Sequence, residues 1–142
     1  MFERFKLARK FVNGDKAAAH IIKLLTPSLF LALQPHGGVD PKLMSDEFVI
    51  AYVYGATCVC LDALSVTDDA EAGFAIKQVF DRLFPNEGST VTEFCKQRVI
   101  QKNPEFMRVL KLGFAEMFET LKSEGKKTSE SLLDHVWRYY GG

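Results

Sequence analysis

The run Phe48–Leu61, FVIAYVYGATCVCL, holds fourteen residues without a charge and limits what this chain can fold into more than any other stretch. A bilayer crossing needs about 20 apolar residues, so the run is too short to span one. Asp46 and Glu47 before it and Asp62 after it lack the basic flank of a cytoplasmic membrane boundary. Phe48–Tyr54 is rich in β-branched and aromatic residues and would suit a strand locally. Its length and the capping residues upstream, Asp40 and Ser45, favour a helix. A helix that is apolar on every side is one enclosed by others. The segment at about 45–65 is therefore expected to be the central helix of a bundle. On it Ala51, Gly55, Cys58 and Asp62 share a narrow face of small residues that would let a neighbouring helix approach closely.

Around this segment the chain divides into helix-length pieces. Phe2–Val12 repeats at 3.6 residues, with Met1, Phe5, Ala8 and Val12 on one face. Asn13-Gly14 reads as its stop and Asp15 as the cap of a second helix to about Leu25. Thr26-Pro27 predicts a restart over Ser28–Leu33, with a kinked continuous helix as the other reading. Gln34–Val39 is a loop, and Asp40-Pro41 opens the lead-in to the central segment. Thr67 or Asp68 can cap a helix whose stripe is Ile76, Val79, Phe80, Leu83 and Phe84. Thr90-Val91-Thr92-Glu93 has the form of a capping box, opening a helix to Lys102. After Pro104, Phe106, Leu110, Gly113, Phe114, Met117 and Leu121 recur at three and four residues. Thr128 or Ser129 can cap a last helix carrying Leu132, Leu133, Val136, Trp137 and Tyr140. Alternating patterns of useful length are missing. The expectation is an all-α fold, one compact domain over residues 1–142 with six to eight helices around the central apolar one.

Eighteen basic and eighteen acidic side chains cancel overall but not locally. Residues 1–45 carry net +4, residues 46–93 net −7 and residues 94–142 net +3. Such a layout pairs internally or shows a partner two opposite faces. With no basic excess and no nucleic-acid motif, nucleic acid is not an expected partner. Three cysteines, Cys58, Cys60 and Cys95, are an odd number without framework spacing, which fits reduced thiols in a cytoplasm. The N-terminal MFERFKLARKF lacks the continuous hydrophobic region of a secretory signal, and a cytoplasmic protein is expected.

No phosphate loop, dinucleotide fingerprint, zinc-protease, hydrolase-elbow, CxxC or EF-hand pattern occurs. Cys58 and Cys60 lie about 200° apart on a helix and cannot readily share a metal, so they read as small core residues. Neither a cofactor nor a metal is expected. His20, set among alanines and isoleucines, reads as a core or boundary histidine. His36 lies in a Pro-His-Gly-Gly loop whose glycines would admit a ligand or simply turn the chain. Adjacent helical residues diverge by 100°, so Asp134 and His135 do not form a dyad. Glu116 and Glu119 read as solvated surface, and Asp62 as the one acid the small face could carry inward, although an acid near a helix end more often bonds local backbone or, here, Ser65 and Thr67.

Two surface features remain. Arg4, Lys6, Arg9 and Lys10 make the first helix basic and amphipathic. Trp137, Arg138, Tyr139 and Tyr140 crowd the last helix, and aromatics with arginine are enriched in interface hot spots. With Trp137 and Tyr140 packed on the core, Arg138 and Tyr139 would be the exposed pair. No catalytic residues can be assigned. The reading is a non-catalytic helical protein–protein interaction module, with a protein partner that includes a homodimer. Its candidate surface is Arg4, Lys6, Arg9, Lys10, His36, Arg138 and Tyr139. The alternative is a binding module for a small apolar ligand held between helices near Phe74, Phe106, Phe114 and Met117.

Overall fold

The computed structural model describes the backbone of residues 2–140 and the side chains of residues 14–140. Its element order is α1 (Phe2–Leu29), two 3₁₀ segments (Phe30–Ala32 and Pro41–Ser45), α2 (Glu47–Ala63), α3 (Asp69–Leu83), α4 (Gly88–Ile100), α5 (Pro104–Lys122) and α6 (Glu130–Tyr140). Among the described residues there is no strand beyond one isolated bridge, Leu33 to Val39. The architecture is an all-α bundle.

The apolar run forms α2, and eleven of its residues are buried, from Val49 to Leu61. Asp46 caps it by accepting from the Phe48 and Val49 N–H groups. Its most extensive contact is with α5. A Cβ on Gly55 would lie 1.9 Å from the Leu110 carbonyl oxygen, and one on Gly113 would lie 2.2 Å from that of Tyr52. The reciprocal pairs, 55 with 110 and 113 with 52, show that the two helices run antiparallel with backbones in direct contact. Gly55 thus performs the close approach expected of the small face. Cys58 is only half-buried and Asp62 is exposed, so the acid is not carried inward. The reason is its position in the final turn of α2, beyond the buried residues that end at Leu61.

Three boundaries differ from the sequence expectation. Asn13-Gly14 does not stop a helix: α1 runs unbroken to Leu29 with Pro27 inside it, the continuous alternative rather than the restart. Gly14 serves packing instead, since a Cβ there would stand 3.1 Å from the Phe74 ring of α3. Asp15, freed from capping, pairs with Arg82 of α3 at 3.0 Å. Thr90 does not open α4, which starts at Gly88. The Gly88 N–H donates to Asp81 of α3 at 2.6 Å, so a neighbouring helix supplies the acceptor that the proposed box would have.

The start of α6 is closed from outside as well. Ser129 gives its carbonyl to the Leu133 N–H, while the Ser131 N–H donates 2.9 Å to Glu116 Oε1 of α5. On α6 Leu132 and Val136 are fully buried, but Trp137 is 53% exposed. Packing Trp137 on the core was the wrong expectation. At 100° per residue it falls about 120° from the centre of the buried stripe, which Leu132 and Val136 already fill. Phe114, counted with the α5 stripe, is 38% exposed for a similar reason, because Phe106, Val109, Gly113 and Met117 take the inner face.

Candidate interaction surface

Polar bonds along its length fix α6 against the rest of the bundle. At its N-terminal end Ser28 Oγ of α1 donates to the Ser129 carbonyl at 3.0 Å. Glu116 then forms a hub between three helices. Its Oε1 accepts from the Tyr52 hydroxyl at 2.6 Å and from the Ser131 N–H, and its Oε2 accepts from Ser131 Oγ. Glu116 is therefore half-buried structure rather than solvated surface; only Glu119 of that pair is exposed, near Lys122 and Lys127. Burial first, and then the bond to Glu116, push the Tyr52 phenol far above its ordinary range, so it stays a neutral donor.

In the middle of α6, His135 Nε2 lies 2.7 Å from Asp46 Oδ2. The His135 ring also stacks on Phe48, with centroids 4.3 Å apart and planes 14° from parallel. Asp46 thus caps α2 with one oxygen and holds α6 with the other. At the C-terminal end the Tyr140 hydroxyl donates to Asp40 Oδ2 at 2.8 Å. The Lys42 N–H, and after it this phenol, hold the Asp40 carboxyl below its usual value. Burial, reinforced by the Asp40 bond, pushes Tyr140 up to about 12. Four tethers, at Ser129 just before the helix and at Ser131, His135 and Tyr140 within it, fix the rotation of α6 about its own axis.

Opposite its buried stripe α6 presents Glu130, Asp134, Trp137 and Arg138. Tyr139, 57% exposed, lies against the Tyr140 ring. α6 packs beside the 3₁₀ segment Phe30–Ala32, where Phe30 is 50% exposed. Its other flank borders a cleft of about 220 Å³ lined by Phe48, Leu112, Ser131, Asp134, His135 and Arg138. Among the described residues neither Asp134 nor Arg138 makes an ion pair or side-chain hydrogen bond.

Of the residues singled out from sequence, Arg138 and Tyr139 are exposed on this helix, joined by Trp137. His36 is exposed in a turn closed by backbone bonds between Gln34 and both Gly37 and Gly38, away from α6 in the chain. Arg4, Lys6, Arg9 and Lys10 lie outside the described side chains. His20 is exposed, not core, because Ala17, Ala18 and Ile21 take the inward face of α1. It lines a cleft of about 390 Å³ with Lys16 and Glu71. Among the described residues no ion pair joins these three, and proton relay requires groups within hydrogen-bond reach.

Sequence reasoning missed Glu116 as a hub and His135–Asp46 as a pair. The partners of His135 and Ser131 stand 89 and 15 residues away, and no local spacing signals them. His135–Asp46 has the form of a catalytic dyad, but Ser131, one turn before His135, donates its hydroxyl to Glu116. All three cysteines are free thiols. Burial pushes Cys58 up to about 11 and Cys60 and Cys95 to about 12, which leaves them weak nucleophiles. Among the described residues no three His, Cys, Asp or Glu side chains gather as a metal site, and no helix is long and apolar enough to cross a membrane. Compared with protein-family models, curated proteins and solved structures, the chain has no match.

Proposed function

We propose that the chain is a non-catalytic helical module that works in the cytoplasm by binding a protein through the outer face of α6. The observation that carries this reading is Trp137, 53% exposed on a helix whose rotation is fixed by four separate polar tethers. A large indole left in water loses the burial free energy, about 2–3 kcal/mol, that a partner surface would supply. Rigid presentation lowers the ordering cost of association, and Trp, Tyr and Arg are the residue types that dominate binding hot spots. The three free thiols, Cys60 and Cys95 buried and Cys58 half-buried, support a reducing compartment.

The residues considered for an apolar ligand are dispersed. Phe74 packs on Gly14, Phe106 on Tyr54 and Phe94, and Phe114 faces outward. The test is site-specific photocrosslinking in cells, with a benzophenone amino acid at Trp137 or at the exposed Lys96 of α4. Position 137 is expected to give a discrete protein adduct that position 96 does not. Equal labelling at the two sites, or none at either, would overturn the proposal.

A further inference from the structure

We propose that the occupant of this face is a second copy of the chain, with α6 pairing antiparallel to α6 of the partner about a two-fold axis beside Trp137. The inference rests on the interaction-module reading and names its partner. Charge complementarity selects this occupant. Asp134 and Arg138 are four residues apart on the outer face, one acidic and one basic, and among the described residues neither has a partner. In an isologous contact residue i meets j and j meets i. An axis level with position 136 places Asp134 of each copy opposite Arg138 of the other, giving two ion pairs from one sequence motif. A helix rises 1.5 Å per residue, so the same axis brings the two Trp137 side chains within about 3 Å of one another along the helix direction. Aromatic burial lies at the centre and the charges lie on either side, the arrangement of a small interface with a polar rim.

A parallel pairing would set Asp134 against Asp134 and Arg138 against Arg138. The charge pattern therefore selects orientation as well as partner. A contact built on one helix of eleven residues falls at the small end of specific interfaces, so the dimer is weak.

The experiment is sedimentation equilibrium of the full chain from about 10 µM to 1 mM, a range that brackets a weak dimer. The wild type is expected to dimerise within that range. Asp134→Arg and Arg138→Asp, both at exposed positions, are each expected to weaken dimerisation at least about tenfold by creating like-charge pairs at two symmetric places. An equimolar mixture of the two variants is expected to regain dimer, because each now complements the other, and D134R/R138D on one chain is expected to regain it as well. Circular dichroism verifies that each variant is folded. A wild type monomeric throughout overturns the inference while leaving a different protein partner for α6. A dimer indifferent to the two reversals, or a mixture that stays monomeric, overturns it too.

Discussion

Gly55→Ala separates local helix preference from tertiary packing, because the two predict opposite signs. Alanine is favoured over glycine in a helix interior by about 1 kcal/mol. At position 55, however, the added Cβ would lie 1.9 Å from the Leu110 oxygen and 2.8 Å from the Leu110 carbonyl carbon. Both obstacles are backbone, so no side chain can swing aside. A comfortable C···O contact is about 3.3 Å, which requires α2 and α5 to part locally by roughly 1.4 Å. A gap of 0.5–1 Å already forfeits about a quarter to a half of each dispersion contact. Among the described residues the α2–α5 seam is the most extensive. We expect a net loss of about 3 kcal/mol, at the upper end for overpacked cores, and a fall in Tm of roughly 10 °C for a chain of this size. Gly73→Ala is the control: it also lies within a helix, α3, and its added Cβ meets nothing within 4 Å. That variant should gain about 0.5–1 kcal/mol. Urea unfolding at 25 °C measures both. A Gly55→Ala protein as stable as the wild type would refute the close-contact account of the α2–α5 seam.

Three further outcomes follow from the tethers and the buried groups. Glu116→Ala leaves the fully buried Tyr52 hydroxyl and the first turn of α6 without their acceptor; urea unfolding should show a loss of about 2–3 kcal/mol. His135→Ala removes the bond to Asp46 and the stacking on Phe48, a loss of about 1–2 kcal/mol, and hydrogen exchange should quicken in α6 before it does in α2. Cys60, Cys95, Tyr54 and Tyr140 all have folded values raised to about 12, from ordinary values of 9.0 for the thiols and 10.0 for the phenols. The folded state therefore keeps protons that the unfolded chain releases. Their contribution is complete below about pH 9 and is lost as the pH climbs from there to about 12. Tm should fall steeply across that window, and Tyr140→Phe should flatten its upper part; a Tm independent of pH from 9 to 11 would contradict the burial.

What could be read from the chain alone is the part written in local physics. The uncharged run from Phe48 to Leu61 has no stable place except inside other helices, and it forms α2 as that requires. Asp68 and Asn103 cap the helices that follow them, and Asp40 caps the lead-in segment Pro41–Ser45, each using its own short side chain on the backbone next to it. The cap of α2 itself is Asp46 and not Ser45, which ends the 3₁₀ segment before it. Gly14 and Thr90 show the limit. Glycine stops a helix by turning left-handed, whereas at position 14 it stays helical and the Phe74 ring supplies a packing reason for it. Asp81 reaches the start of α4 from a neighbouring helix, which made the nearby capping pattern redundant.

The candidate surface was legible in its ingredients and not in its arrangement. Arg138 and Tyr139 stand out in a sequence because of their residue types, but whether Trp137 points inward or outward depends on which neighbours fill the inner stripe of α6. That rotation is set by bonds to Ser28, Asp40, Asp46 and Glu116, which come from 15 to 101 residues away in the chain. Periodicity specifies which residues share a face of a helix. The angle at which that face meets the rest of the molecule is a property of the fold, because it is fixed by partners that folding alone brings within reach.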